Sequence, residues 1–208
     1  MPITNVYDTL RQRIEKSNGL MQHERDAWLF FKTYQTELSR WQSAIRSKAD
    51  WSTLSKGTYS KRLVGAGAAQ PGQFYFFLYD PKLRRELPYY DAFPLVLVLD
   101  TGPGWFFGMN LHYLNYESRA RLFDALYPST TSKTDSLKSR MRITYDILQS
   151  STNPMISSFF RPCLKRYLTS HLQTPLLQVG SDSWHLALFL PVDMFKKKTN
   201  RYVWSGGV

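Results

Sequence analysis

Apolar residues recur at helical spacing near the start of the chain. Residues from Tyr7 to Ile14 follow one face of a first predicted helix, which Gly19 ends. A longer amphipathic helix is predicted over 24–46, with an apolar face and a polar face that carries both acidic and basic groups. We expect the apolar face to pack on the rest of the protein or on a partner, rather than on a membrane. Its candidate partner-binding residues are Trp28, Phe31, Leu38, Trp41 and Ile45.

Continuous apolar and aromatic segments in the centre and near the end of the chain predict strands. These segments are residues 73–80, 93–100, 105–114 and 183–191. The sequence Thr-Gly-Pro-Gly at 101–104 joins the second and third of them and predicts a β-hairpin. Helical patterns between the hairpin and the last strand predict three inserted helices, over 116–126, 135–148 and 162–172.

These elements predict an α+β fold, with a small antiparallel SH3-like β-barrel or curled sheet and with N-terminal and inserted helices. A stretch rich in Ser, Gly and Ala suggests the main boundary. The predicted organisation is a helical docking region at 1–51, a linker or arm at 52–73, a β-barrel core with inserted helices at 74–195 and a basic tail at 196–208.

Charge is distributed unevenly over the 208 residues. The net charge is +11, and it comes from basic flanks on either side of a nearly neutral middle. Such flanks favour a polyanionic partner, either nucleic acid or an acidic protein surface. No apolar run reaches the roughly 20 residues of a membrane helix, and the start lacks the order of a secretory signal, so we expect folding in the cytoplasm and no membrane partner.

The sequence contains no convincing set of catalytic groups. The glycine clusters lack the context of a phosphate-binding loop, and the four histidines are dispersed without a pair at i, i+4. The single cysteine, Cys163, excludes an internal disulfide and has no evident base beside it. We therefore predict no enzyme activity, cofactor, metal or small-molecule substrate. The least favoured hypothesis is a metal-dependent nuclease that uses Asp91 and Asp100.

Basic residues cluster in the last third of the chain, where several alternate with aromatic residues. Cations beside rings are typical of sequence-independent nucleic-acid contacts, although lysine runs are also common on solvated surfaces. The candidate nucleic-acid-binding residues are Arg140, Arg142, Lys165, Arg166, Lys196, Lys197, Lys198 and Arg201.

One block of sequence resembles a known family. The segments YFFLYDPKLRRELPYYDAFPLVLVLD and GWFFGMNLHYLNYESRARLFDAL, with RPCLKRYLTSHL and WHLALFLPVDMF, are similar to minor virion proteins of T-even-like contractile-tailed bacteriophages. The resemblance covers about residues 74–195 and is most specific at Asn110–Leu114. It implies a head-completion protein that protects DNA ends, or a tail or baseplate hub component, and it implies no catalytic residue.

The dense aromatic residues and the long amphipathic helix favour assembly contacts. We therefore predict a non-enzymatic structural component of a tailed-phage virion, in the tail, the baseplate or the head–tail assembly, whose partners are other virion proteins. The alternative is a DNA-binding head-completion protein that protects packaged DNA ends.

Overall fold

The computed structural model describes four stretches of the chain and one separate residue. Twelve positions within residues 25–43 are described and are helical (α1). The other described residues are 63–115, Arg119, 161–179 and 195–205. Among them no helix is long and apolar enough to cross a membrane. The predicted strand at 183–191 and the predicted helix at 135–148 lie outside the described residues, and of the predicted helix at 116–126 only Arg119 is described, as helical.

The fold is built on a six-stranded antiparallel sheet with the order β1-β7-β2-β4-β5-β6. A separate two-stranded ladder pairs β3 with β8. The strands are β1 Leu63–Val64, β2 Phe74–Phe76, β3 Tyr90–Asp91, β4 Leu95–Gly102, β5 Trp105–Asn110, β6 Leu164–Leu168, β7 Leu176–Val179 and β8 Phe195–Lys196. A short helix, α2, follows β8 at Asn200–Trp204. The predicted α+β class is confirmed in this form, as a mainly antiparallel sheet with few helices.

The predicted hairpin is confirmed as β4 and β5. Its two-residue loop is Pro103-Gly104, and Gly104 has a φ of +75° that a residue with a side chain rarely adopts. The register of the pair shifts between Val98 and Asp100, which is a β-bulge that increases the local twist. Gly108 lets the two strands approach closely, because a Cβ at that position would lie 2.3 Å from Cγ1 of Val96.

The sheet curls strongly. Strands β4 and β5 lie between β2 and β6, which in a flat sheet would place β2 and β6 about 14 Å apart. The rings of Phe77, directly after β2, and Tyr167 in β6 are nevertheless only 5.2 Å apart between centroids. The hydroxyl of Tyr79 also accepts a hydrogen bond from the backbone N–H of Leu168. Among the described residues the sheet does not close into a barrel, since no ladder joins its end strands β1 and β6.

Alternating side chains of the strands supply two hydrophobic clusters. In β4, the three leucines from Leu95 to Leu99 face one cluster and the two valines face the other. The first cluster lies on the face covered by the helices, because it also contains Leu38 of α1 and Val203 of α2. The second fills the concave side with rings from Phe77, Tyr79, Phe106 and Tyr167, which meet edge-to-face except for the stacked pair Phe106 and Tyr167.

The predicted helix at Pro162–Leu172 is wrong. This segment is a 3₁₀ turn at Arg161–Cys163, then strand β6, then a second 3₁₀ turn at Thr169–His171. Straight-chain residues give the segment a good helix propensity, but pairing with β5 buries Tyr167 against the rings of the concave side. Tertiary packing therefore overrides the local preference here.

Candidate nucleic-acid interface

The C-terminal residues 195–205, here called the tail segment, dock on the sheet domain. Strand β8 pairs with β3, so that Lys196 lies opposite Tyr90 and Phe195 opposite Asp91. A turn capped by Thr199 then leads into α2, whose Val203 is buried in the first hydrophobic cluster. The basic end of the chain therefore has a defined position on the protein.

An aromatic cluster forms the contact beneath the tail segment. The ring of Tyr89 lies 6.1 Å from Tyr113, 6.2 Å from Phe195 and 6.2 Å from Tyr202 between centroids, and Phe195 meets Tyr113 edge-on at 5.0 Å. Edge-to-face ring pairs at these distances are favourable beyond the area that they bury. Two of the four rings belong to the tail segment, so the cluster holds it in place.

Two lysines lie over rings of this cluster. The ammonium of Lys165 is 4.3 Å from the centroid of Tyr113, and that of Lys198 is 4.3 Å from the centroid of Tyr202. Burial lowers the pKa of Lys165, with a smaller opposing effect from Cys163, while Lys198 is exposed. Lys165 therefore contributes to packing, and Lys198 presents its charge to solvent.

Lys197 is held differently from its neighbours. Its φ of +74° lies in the left-handed region, which costs a residue with a side chain about 1–2 kcal/mol. Its ammonium donates hydrogen bonds to the carbonyl oxygens of Arg85, at 3.1 Å, and Leu87, at 2.6 Å. Lys197 thus joins the tail segment to the loop at residues 81–88, and both its backbone and its side chain serve that contact.

Asp91, the second residue of β3, is the centre of a buried hydrogen-bond network. The carboxylate of Asp91 accepts hydrogen bonds from the backbone N–H of Phe93 at 2.9 Å, from Nδ2 of Asn110 at 2.9 Å and from Nδ1 of His112 at 2.5 Å. Burial alone raises the pKa of Asp91, but attraction to His112 and the three hydrogen bonds outweigh it and lower the pKa below its ordinary value. Asp91 is therefore an ionised, fully bonded anchor.

The backbone of His112 also contacts the tail segment. Nε1 of Trp204 in α2 donates to the carbonyl oxygen of His112 at 2.8 Å. Arg119, which is fully buried, donates from Nε to the carbonyl of Leu111 at 3.0 Å and lies 5.4 Å from the Trp204 ring centroid. The 3₁₀ turn at Leu111–Tyr113, which follows β5, therefore contacts both Arg119 and α2.

The two carboxylates of the nuclease hypothesis do not meet. Asp91 is bonded to Asn110, which pairs with Val96 of β4. Asp100 lies four residues beyond Val96, which corresponds to about 13 Å along the strand. Asp100 is exposed, and its carboxylate accepts from the backbone N–H of Thr101 as in a turn. The described part of the chain contains no group of three or more metal-ligating side chains. A two-metal centre needs carboxylates that share metals a few ångströms apart, so these two residues do not form one.

The predicted cations fall into three sets. Lys165 and the tail residues are brought together around the aromatic cluster: Lys196, Lys197, Lys198 and Arg201. Arg166 is separate, because its guanidinium lies 4.6 Å from the ring centroid of Trp105 at the hairpin end of β5. Arg140 and Arg142 lie outside the described residues.

Sequence reasoning missed the basic loop beside the tail segment. Lys82, Arg84 and Arg85 are exposed in the loop at 81–88, which the sequence analysis passed over as part of the 74–195 core. The run Lys-Leu-Arg-Arg was the visible signal, but only the contact with Lys197 shows that it lies next to the tail cations. Arg84 is paired with Asp80 at 3.0 Å, so Lys82 and Arg85 are the loop cations without an acidic partner within the described structure.

Of the predicted partner-binding face of α1, the structure describes Trp28 and Leu38. Leu38 is fully buried in the first hydrophobic cluster, so that residue packs on the protein itself and is corrected to a core position. Trp28 is 46% exposed. Phe31, Trp41 and Ile45 lie outside the described residues.

Comparison with protein families supports a phage origin. A family model described as Phage T4 terminal DNA protecting protein matches residues 29–206. No curated protein and no solved structure matches the chain. The match confirms the resemblance to T-even-like phage proteins and extends it towards the N-terminus, beyond the block that carried it. Because the matched region is most of the 208 residues, the chain belongs to the phage T4 terminal DNA protecting protein family.

Proposed function

We propose that this protein binds the ends of packaged duplex DNA in the virion of a T4-like phage, as a non-enzymatic component of the head. The description of its family names terminal DNA protection, which supports the DNA-end role better than the tail or baseplate role that the sequence analysis preferred. Its other partners would be the virion proteins around the DNA end. A head-completion protein of this kind acts by occupying the DNA, and it needs no catalytic group.

The tail segment is the observation that carries this proposal. Lys196, Lys198 and Arg201 are exposed, and β8, α2 and the aromatic cluster fix the backbone on which they stand. A fixed set of cations pays less conformational entropy on binding than a disordered tail does. Contacts from lysine and arginine to phosphate carry no sequence information, which suits a protein that must bind a DNA end whatever its sequence.

Retention of linear duplex DNA by the full chain tests the proposal. Three phosphate contacts predict that the affinity falls at least about 40-fold between 50 and 200 mM salt, because each contact releases counterions. No retention at 50 mM salt would contradict DNA binding.

Protection of DNA ends is tested separately from binding. We expect the protein to slow digestion of blunt linear duplex by an added exonuclease, and a closed circular duplex of the same sequence to compete weakly for it. Equal competition by the circular DNA, together with unprotected ends, would show binding that is not directed to ends.

A further inference from the structure

The loop at residues 81–88 is a defined structure and not a free excursion. The backbone N–H of Arg84 donates to the carbonyl of Pro81 at 3.1 Å, and that of Leu87 donates to Leu83 at 2.9 Å. These turns leave the side chains of Lys82 and Arg85 in solvent. The loop therefore presents its cations from a folded backbone, as the tail segment does.

Lys197 gives the loop its position. Its ammonium contacts two backbone carbonyls of the loop, one of which belongs to Arg85. A left-handed backbone at a lysine persists only where the surrounding contacts enforce it, and such strain is concentrated at functional positions. The two hydrogen bonds and the unusual backbone have the same effect, which is to hold loop and tail segment side by side.

We propose that the loop at 81–88 is the second half of the DNA interface, and that Lys197 is a positioning residue that holds this half in place. This inference rests on the proposed DNA binding. Residues 80–86 and 196–201 together carry seven basic and two acidic side chains, a net charge of +5. Such a concentration of positive charge matches duplex DNA, which carries a negative charge about every 1.7 Å of its axis. The loop cations that contact phosphate are Lys82 and Arg85, since Arg84 is paired with Asp80.

The salt dependence of DNA binding counts the contacts. Five phosphate contacts, from Lys82, Arg85 and the three tail cations, predict a slope of log affinity against log salt near −4.5, with each contact worth about 0.9. The double variant K82Q/R85Q should reduce the magnitude of this slope by about 1.8 on a blunt linear duplex. K32Q is the single-charge control, because Lys32 is an exposed helix residue whose side chain bonds only to Gln35 in the contacts described for it. K32Q should keep the slope of the unmodified protein.

A double-mutant cycle separates positioning from direct contact. K197M should reduce the slope by about as much as K82Q/R85Q does, although it removes one charge and not two. In the K82Q/R85Q background it should change the slope no further. Additive effects would show that Lys197 itself contacts phosphate and would overturn its positioning role. K197G provides a check on folding, because it removes the hydrogen bonds but also relieves the backbone strain, and it should bind DNA as K197M does.

The outcomes distinguish this inference from the function on which it rests. If the unmodified chain shows no salt-dependent retention of DNA, the proposed DNA binding and the inference about the loop are both refuted. If it binds with a clear salt dependence while K82Q/R85Q keeps the full slope, the loop is not part of the interface and DNA binding by the tail segment stands. A reduction by K32Q of about 0.9, half of that expected for K82Q/R85Q, would mean that only net charge matters, which also overturns the inference.

Discussion

Asp91 is a buried anchor beneath the proposed interface, and its replacement by asparagine tests that role. The change keeps the shape of the side chain and removes its charge. An asparagine can still accept from the backbone N–H of Phe93, but an amide N–H₂ then takes the place of the oxygen that accepts from Asn110 and His112. Two charge-assisted hydrogen bonds are lost together, in a group whose atoms are shielded from water.

The expected loss of stability is large for a change of so few atoms. Leaving a buried donor without its acceptor costs about 1–3 kcal/mol, and the change leaves two such donors, Nδ2 of Asn110 and Nδ1 of His112. For a chain of this size, each kcal/mol lowers the melting temperature by about 2–4 °C, which predicts a decrease of about 10 °C for Asp91→Asn. Asp100→Asn is the matched control, since Asp100 is exposed and its side chain bonds only to the next backbone N–H in the contacts described for it, and the change should alter stability by less than about 0.5 kcal/mol.

The pH dependence provides a second, independent measurement. The pKa of Asp91 is lower in the folded protein than its ordinary value of 3.8, so its contribution to stability is present above that value and is lost as the pH falls through the folded pKa. Urea unfolding at pH 7 and at pH 3 should therefore show a smaller pH effect in Asp91→Asn than in the unmodified protein. The anchor role is refuted if the variant unfolds within about 0.5 kcal/mol of the unmodified chain at pH 7 and keeps the same pH effect.

Two further predictions concern the hairpin and the cysteine. Gly108→Ala should lower the free energy of unfolding by about 3 kcal/mol in urea titrations, because its Cβ would meet Val96 at 2.3 Å and the carbonyl of Leu97 at 2.6 Å. Gly104→Ala, which has open space but a positive φ, should cost only about 1 kcal/mol, and a larger loss at Gly104 would contradict the close packing inferred at Gly108. Burial raises the pKa of Cys163 from 9.0 to about 12, so its reaction with a disulfide reagent at pH 8 should be about 1,000-fold slower in the folded than in the unfolded protein. Comparable rates with and without urea would show that the thiol is accessible.

The hairpin was predictable because its signals are local. Two apolar segments flank Thr-Gly-Pro-Gly, and the turn needs only the fixed φ of proline and the positive φ of glycine. The helical positions described within 25–43 were predictable for the same reason, since the apolar spacing is contained in one segment. Strand β6 was not, because Leu-Lys-Arg-Tyr-Leu suits a helix as well as a strand and only pairing with β5 decides between them.

The interface depends on contacts that local sequence does not show. Lysine runs near a chain end are typical of solvated tails, whereas here Phe195 and Trp204 dock against residues about 90 to 110 positions earlier. Asp91 was considered only as a metal ligand of a nuclease, since its partner His112 lies 21 residues away and reaches it through the 3₁₀ turn after β5. Each of these contacts is set by the register of strands that are distant in the sequence.

The structure also changes what the net charge of +11 means for binding. Of the predicted cations, Lys165 is partly buried over a ring and Lys197 is engaged with carbonyl oxygens, so neither is among the phosphate contacts that we propose. The exposed cations of the loop and the tail segment instead lie on backbone that these two residues help to fix. A measured salt slope should therefore report the small set of exposed, positioned cations and not the total charge of the chain. Because counterion release is counted per contact, the same measurement that tests DNA binding also tests this division between cations that bind and cations that hold the surface together.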